Sequence, residues 1–129
     1  MSMEKYITGL QHIGIPTGDI EASIAFYESL GFKIFYETVD NGMRVVYLEQ
    51  QGLLIETYET AEPAGLSGAI NHIAINVSDI DAAFEIAKEN GYTITDGGGI
   101  NLLHFWENGM KYFMLEGPSK ERVELMQKL

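Results

Sequence analysis

The chain has 129 residues and no cysteine, and its 8 lysine and arginine residues against 19 aspartate and glutamate residues give a formal net charge of −11. This length suits one ordinary domain with a hydrophobic core, and the lack of cysteine excludes disulfides and thiolate metal sites. The negative charge disfavours nucleic-acid and anionic membrane partners, because both would repel the protein.

The first half of the chain predicts one strand, one helix and then three strands. The helix has possible N-caps at Gly18 and Asp19, runs to Leu30 and stops at Gly31. Its apolar face repeats with helical spacing at Ile20, Ile24 and Tyr27. The strands are predicted at residues 9–15, 32–39, 43–50 and 53–58. Asp40-Asn-Gly42, between the second and third strands, is typical of a tight hairpin turn.

The second half predicts the same order with an insertion. A strand at 69–77 precedes a helix that Ser78 and Asp81 open as a capping pair and that Asn90-Gly91 ends. The later strands are predicted at residues 92–95, 104–107, 110–116 and 122–127. The glycine-rich run at 95–101 holds the insertion, and two interpretations stay open: a mobile flap over a site or a tolerant surface loop.

The two halves are copies of one unit. The segment Leu10-Gln-His12-Ile-Gly-Ile15 recurs sixty residues later as Ile70-Asn-His72-Ile-Ala-Ile75. Each half also ends in a strand with a carboxylate inside an apolar run, Glu56 in the first and Glu124 in the second. Similarity at a fixed spacing indicates a duplicated structural unit. We expect a single domain over residues 1–129, with module one at 7–58, a linker at 59–68 and module two at 69–127.

Strand periodicity places these histidines and glutamates on the faces opposite the uniformly apolar ones. A lone strand histidine or glutamate is more often structural, but two of each at equivalent positions of a duplication favour a shared site. Carboxylates are costly in a partly apolar cleft unless a cation compensates their charge. Two imidazoles and two carboxylates suit a divalent ion such as Zn, Ni, Co, Mn or Fe(II).

These features resemble the vicinal oxygen chelate superfamily, which includes glyoxalase I, methylmalonyl-CoA epimerase, extradiol dioxygenases, fosfomycin-resistance enzymes and bleomycin-resistance proteins. The resemblance rests on the paired modules, the opening histidine followed by Asp-Ile, Ala25-Phe-Tyr27 before Leu30-Gly-Phe32, and the ending Gly117-Pro-Ser-Lys-Glu-Arg-Val-Glu124. It implies an α+β fold in which two tandem β-α-β-β-β modules form a curved mixed sheet with a metal-binding cleft and helices on the outer face. It also implies metal ligands at His12, Glu56, His72 and Glu124.

The full set of two histidines and two glutamates is most similar to glyoxalase I, because the dioxygenases and fosfomycin enzymes lack a ligand corresponding to Glu56. The resemblance implies a lyase or isomerase that abstracts a proton next to a metal-chelated carbonyl. Glu124 is the first choice for the base and Glu56 the other candidate. Pro16 stands where glyoxalase I members often carry an arginine, which disfavours glutathione as co-substrate.

A non-catalytic protein, similar to the bleomycin-resistance proteins, is the alternative from another class. It would bind an aromatic cationic drug through its acidic charge and through Tyr36, Tyr47, Tyr58, Trp106 and Tyr112. A related epimerase or dioxygenase of the same fold is a further alternative. His104 lies outside the equivalent pairs and is either a substrate contact or a structural residue. The expected partners are a small-molecule substrate and a second copy in a homodimer, without nucleic acid or membrane, in the cytoplasm.

Overall fold

The structure is a computed structural model that describes residues 4–6, 8, 10–66, 68 and 70–129. The chain forms two compact units, Met1–Ala61 and Glu62–Leu129. Each unit contains one mixed sheet and one helix, so the α+β class and the tandem modules are confirmed. The single-domain organisation stays a prediction.

Unit one follows the predicted β-α-β-β-β order. After a 3-10 turn at Glu4–Tyr6, its elements are β1 (Ile13–Thr17), α1 (Ile20–Ser29), β2 (Lys33–Asp40), β3 (Met43–Gln50) and β4 (Leu53–Glu59). The sheet order is β1-β4-β3-β2, with β1 parallel to β4 and the other pairs antiparallel. The predicted first strand, 9–15, is displaced: β1 begins at Ile13 and continues to Thr17, so His12 precedes it. Gly9 lies outside the described residues.

Local sequence signals account for the turns of unit one. Asp19, and not Gly18, caps α1, because its side chain accepts the Ala22 N–H at 3.0 Å. Asn41 and Gly42 both have positive φ, at 50° and 79°, as a two-residue hairpin turn between β2 and β3 requires. The predicted hairpin turn is therefore confirmed, with Asn41 and Gly42 as its two central residues.

Helix α1 packs on the apolar face of its sheet. Its buried residues are Ile20, Ser23, Ile24 and Tyr27, which include the three predicted apolar positions. On the strands below, Val46, Leu48 and Ile55 are fully buried. Because strand residues alternate, Tyr47 and Glu56 point to the opposite side of the sheet, away from the helix.

Unit two repeats this arrangement with one more strand. Its elements are β5 (Ile73–Asn76), α2 (Ile80–Glu89), β6 (Thr93–Thr95), β7 (Asn101–Leu103), β8 (Met110–Glu116) and β9 (Arg122–Lys128). The main order is β5-β9-β8-β6, β7 also pairs with β8, and β5 is parallel to β9. Helix α2 packs against β8 and β9, where the Phe84 and Phe113 rings meet edge to face at 5.2 Å. The first strand of this unit is shorter than the predicted 69–77, because β5 covers only Ile73–Asn76 and His72 precedes it. Ala69 lies outside the described residues.

The predicted strand at residues 104–107 is wrong. The strand lies earlier, at Asn101–Leu103, because Leu103 pairs with Met110 and residues 104–109 must form the connection to β8. Trp106 sits in that connection with φ of 66°, a conformation that a strand does not allow.

The predicted capping pair of the second helix, Ser78 and Asp81, is also wrong. Asp79 is the N-cap, in an extended conformation, and its side chain accepts the Ala82 N–H at 3.0 Å. Ser78 precedes the cap and Asp81 lies in the first turn, where its charge complements the helix dipole. Neither of the two described helices is long and apolar enough to cross a membrane.

This correction predicts a stability difference between neighbouring residues. Replacing Asp79 with alanine leaves the Ala82 N–H without its acceptor, and we expect the free energy of unfolding to fall by about 1 kcal/mol in urea titrations. Ser78→Ala is the matched control, with an expected change within about 0.5 kcal/mol. The control keeps the Ser78 backbone carbonyl, which accepts from Gln127 Nε2 at 3.0 Å. A larger loss in Ser78→Ala than in Asp79→Ala would restore the original capping assignment.

Candidate functional site

In unit one, parallel pairing brings the predicted histidine and glutamate together. Gly14 lies directly opposite Glu56, and His12 precedes Gly14 by two residues on the same side. The His12 Nε2 atom lies 3.5 Å from Glu56 Oε1. A Cβ atom at Gly14 would lie 3.3 Å from the same carboxylate oxygen, so the glycine leaves room for the Glu56 side chain.

Tyr47 holds the other oxygen of Glu56. The two residues face each other across β3 and β4, and the Tyr47 hydroxyl donates to Glu56 Oε2 at 2.8 Å. This hydrogen bond to the carboxylate raises the pKa of the Tyr47 phenol above its ordinary value, and burial and the negative charge of Glu56 act in the same direction. The hydroxyl therefore stays protonated at neutral pH and keeps donating to Glu56.

Unit two builds an equivalent pair with a different neighbour. Ala74 lies opposite Glu124, and His72 Nε2 lies 3.7 Å from Glu124 Oε1. Glu124 is 9% exposed, which makes it the one buried carboxylate of the described residues. The residue across from it on β8 is Met114, so the place that Tyr47 fills in unit one carries no hydroxyl here.

The other ring nitrogen of each histidine faces an amide oxygen of the preceding residue. His12 Nδ1 contacts Gln11 Oε1, and His72 Nδ1 lies 2.9 Å from Asn71 Oδ1. An amide oxygen only accepts, so this orientation of each amide goes with a proton on Nδ1 and an Nε2 lone pair toward the carboxylate. Of these two amides, as far as the chain is described, only that of Asn71 has its oxygen fixed by a further donor, Arg122 Nη1. At 3.5 Å and 3.7 Å these Nε2 and oxygen atoms are too far apart for a normal hydrogen bond.

The chemistry of these donors suits a divalent first-row metal ion, and the unit-one pair, at 3.5 Å against 3.7 Å in unit two, has the spacing of two ligands on one ion. A lone pair that faces a carboxylate leaves two electron-rich atoms directed at one another, which a cation relieves. Nitrogen and oxygen ligands about 2.0–2.2 Å from one ion lie about 3–3.5 Å from each other. Within neither unit, as far as the chain is described, do three or more histidine, aspartate or glutamate side chains meet in a metal-binding group.

A hydrogen-bond network in unit two contacts His72 on its Nδ1 side, away from Glu124. Sequence reasoning missed it. Arg122 Nη2 donates to both Asp96 carboxylate oxygens, at 2.8 Å and 2.7 Å, and Arg122 Nη1 donates to Asn71 Oδ1. One signal pointed toward it: an amide residue precedes the histidine in both copies of the repeat. The sequence does not indicate the Asp96 contact, because 26 residues separate Asp96 from Arg122.

The glycine-rich insertion is folded as an ordered loop. Asn101 Nδ2 donates to the backbone oxygens of Asp96 and Gly99, at 3.1 Å and 3.4 Å. Asp96, at the start of the run, is held by Arg122 as described above. These contacts favour the surface-loop interpretation over a freely moving flap.

A pocket of about 420 Å³ opens beside the second histidine and glutamate. His72, Glu124 and Arg122 are among its polar residues, and Phe105, Trp106 and Tyr112 are among its apolar ones. Trp106 is 63% exposed, and Lys128 Nζ lies 4.1 Å from its ring centroid. His104 is not among the described residues that line this pocket; its ring lies 6.3 Å from that of Phe105.

Comparisons with known proteins agree with this architecture. Residues 9–125 match the family model of the Glyoxalase/Bleomycin resistance protein/Dioxygenase superfamily. The uncharacterized protein YwbC of Bacillus subtilis (strain 168) is 34% identical over 128 residues, which covers 92% of this chain and 97% of YwbC.

Two solved structures share the fold at lower identity. A glyoxalase family protein from Enterococcus faecalis aligns with a TM-score of 0.78 at 21% identity, over 94% of this chain and 98% of that one. The fosfomycin resistance protein FosX from Listeria monocytogenes, crystallised with Mn(II) and sulfate, aligns with a TM-score of 0.73 at 19% identity, over 95% and 94%. The match of residues 9–125 to the family model shows that the chain belongs to the Glyoxalase/Bleomycin resistance protein/Dioxygenase superfamily.

Proposed function

We propose that the protein is a divalent-metal-dependent lyase or isomerase of glyoxalase I type, which removes a proton from a carbon next to a carbonyl group. The observation that carries the proposal is the same contact built twice: a histidine Nε2 atom beside a glutamate oxygen, at 3.5 Å in unit one and 3.7 Å in unit two. His12, Glu56, His72 and Glu124 are the proposed metal ligands. When bound, the ion supplies Lewis-acid polarisation of the substrate carbonyl.

Glu124 is the proposed base because it is held less firmly than Glu56. The Tyr47 hydroxyl fixes one oxygen of Glu56, whereas among the described side chains no hydrogen-bond donor reaches the Glu124 carboxylate. A carboxylate that can turn within its site can accept a proton from the substrate and return it to the neighbouring carbon. Glu56 remains the second candidate and acts in this proposal as a fixed ligand.

The charges around the unit-two half-site favour a substrate with an apolar body. Arg122 lines the pocket beside His72 and is already engaged by Asp96. Arg44 of unit one instead pairs with Glu21 on the helix side of its sheet. The arginine at the unit-two half-site is therefore already neutralised, which disfavours a multiply anionic co-substrate such as glutathione. The apolar wall of the unit-two pocket suits a small 2-oxo or 2-hydroxy compound, or its adduct with a different thiol.

We also propose a homodimer as the working form. The sheet-edge strand β2 exposes large apolar side chains along its length: Ile34, Phe35, Tyr36 and Val39. An exposed apolar row on an unpaired edge is typical of a surface that another chain covers. The cytoplasmic location stays a prediction.

Metal analysis followed by a turnover screen tests the function. We expect the purified protein to bind a divalent ion stoichiometrically and to convert a hemithioacetal or a 2-oxo acyl thioester. Chelation should abolish turnover, and return of the ion should restore it, because the carbonyl is polarised only when the ion is present. A protein that binds no divalent ion but binds an aromatic cationic drug would refute this proposal and establish the drug-binding alternative.

A further inference from the structure

We propose that Asp96, Arg122 and Asn71 are positioning residues that fix the tautomer of His72, so that module two holds a preorganised metal-ligand nitrogen and module one does not. The tautomer of His72 follows from the contacts of these residues and does not need the proposed function. Its consequence for metal affinity rests on the proposed function.

The contacts run in one unbroken chain through unit two. Asp96 receives two hydrogen bonds from Arg122 Nη2, at 2.8 Å and 2.7 Å. Arg122 Nη1 donates to Asn71 Oδ1, and the same oxygen lies 2.9 Å from His72 Nδ1. Asn71 thus stands between a guanidinium group and an imidazole ring, with one atom facing both.

The chemistry of arginine identifies the Asn71 side-chain atom that faces both Arg122 and His72. A guanidinium group has five N–H donors and no acceptor, so the Asn71 atom that faces Arg122 must be the carbonyl oxygen. A flipped amide would place its NH₂ group against the guanidinium and lose the hydrogen bond. The oxygen that Arg122 selects is the one that meets His72, so His72 Nδ1 carries the proton and Nε2 keeps its lone pair toward Glu124.

The glycine-rich insertion supplies the first member of the chain. Asp96 has a φ of 54°, and Gly97 and Gly98 follow with φ of 89° and 72°, so the run turns sharply just after the aspartate. Asn101 Nδ2 donates to the Asp96 backbone oxygen at 3.1 Å and closes the turn. This insertion therefore has a structural use: it brings a carboxylate to Arg122 that module one has no segment to provide.

Module one, as far as it is described, has the amide residue before its histidine but no arginine that fixes the orientation of that amide. Gln11 Oε1 contacts His12 Nδ1, yet the residue two positions before Glu56 is Leu54, where module two has Arg122 two positions before Glu124. Among the described residues, no arginine or lysine contacts Gln11. The Gln11 amide can turn over without losing a charged partner, so it does not determine the tautomer of His12.

Nuclear magnetic resonance of the metal-free protein measures the tautomer of His72 directly. The chain has only 3 histidines, so long-range ¹H–¹⁵N spectra can assign the protonated nitrogen of each ring. We expect the Nδ1–H form of His72 to predominate in the wild type and the Nε2–H form to rise several-fold in Asn71→Leu and Arg122→Gln. The matched control is Arg44→Gln, which removes an arginine of comparable exposure from ion pairs in unit one and should leave the His72 tautomer unchanged.

Asp96→Asn provides a second variant on an exposed loop, in case Arg122→Gln does not fold. Asparagine tolerates the left-handed conformation of this position, and we expect the same direction of change in the His72 tautomer. A wild-type His72 that is mainly Nε2–H, or a tautomer that no variant shifts, would overturn the proposal.

Metal affinity separates this proposal from the proposed function. In Zn(II) titrations we expect Asn71→Leu and Arg122→Gln to weaken binding by about 10–100-fold, since residues that orient a ligating histidine have effects of that size. If the wild type binds no divalent ion, the proposed function fails while the tautomer of His72 is still measured. If the variants change the tautomer but bind Zn(II) as tightly as wild type, the preorganisation of the metal ligand is refuted.

Discussion

Replacing Glu124 with glutamine is expected to lower kcat by about 10²–10⁴-fold, the usual contribution of a positioned general base. Glutamine keeps the shape of the side chain and an oxygen that can face the ion, but it cannot accept a proton at neutral pH. Metal binding should therefore weaken only in part. Steady-state kinetics and a metal titration on the same preparation separate the two effects.

Glu56→Gln is the informative comparison for this variant. The Tyr47 hydroxyl fixes the Glu56 carboxylate, so Glu56 is assigned as a ligand rather than as the base. We therefore expect Glu56→Gln mainly to weaken metal binding and Glu124→Gln mainly to lower kcat. Glu85→Gln is the control, since Glu85 is exposed on α2 and pairs with Lys88. Normal turnover in Glu124→Gln would refute the assignment of the base, and loss of turnover with intact metal binding in Glu56→Gln would transfer the role to Glu56.

Removal of His72 is the second change with a large expected effect. We expect His72→Ala to weaken divalent-ion binding by more than about 100-fold, because it deletes a proposed ligand nitrogen. Loss of a residue that only supports a ligand already weakens binding by about 10–100-fold. Turnover should fall with the loss of the ion. Competition with a chelator of known affinity measures the change.

His104→Ala is the matched control for the histidine experiment. Both histidines lie outside the strands of unit two, but only His72 faces a glutamate, at 3.7 Å. We expect His104→Ala to keep stoichiometric metal, and circular dichroism should show both variants folded. If His104→Ala lost the ion while His72→Ala kept it, the proposed ligand set would be wrong.

Sequence reasoning succeeded where the signal was local. The hairpin at Asn41-Gly42, the caps at Asp19 and Asn90 and the apolar face of α1 depend on residues that lie close together in the chain. The strands β3 and β8 begin and end where the sequence predicts them. Such features are encoded by side-chain period and turn chemistry, which need no knowledge of distant partners.

Two corrections, the position of β7 and the N-cap of α2, depend on a pairing partner or on the backbone conformation of one residue. The position of β7 depends on its pairing with β8, and nothing within residues 101–107 specifies that register. The choice of Asp79 over Ser78 as the cap depends on which residue takes the extended conformation, while Gln127 from β9 binds Ile80 N at the start of the helix. The register of β7 is set by pairing across a short connection, from Leu103 to Met110, whereas Gln127 reaches the start of α2 from a distant part of the chain.

By itself, the sequence determined that this chain is duplicated, that each copy is a strand-helix-sheet module, and that each module has a glutamate on the strand face away from its helix. Repetition and alternation encode these features, because a side chain's face follows from its position in the strand. Only the tertiary structure decided that Tyr47 holds Glu56, that Met114 leaves Glu124 without such a donor, and that Asp96 and Arg122 lie behind His72. Those contacts depend on strand register and on the path of a loop, which are fixed by the packing of the folded chain as a whole.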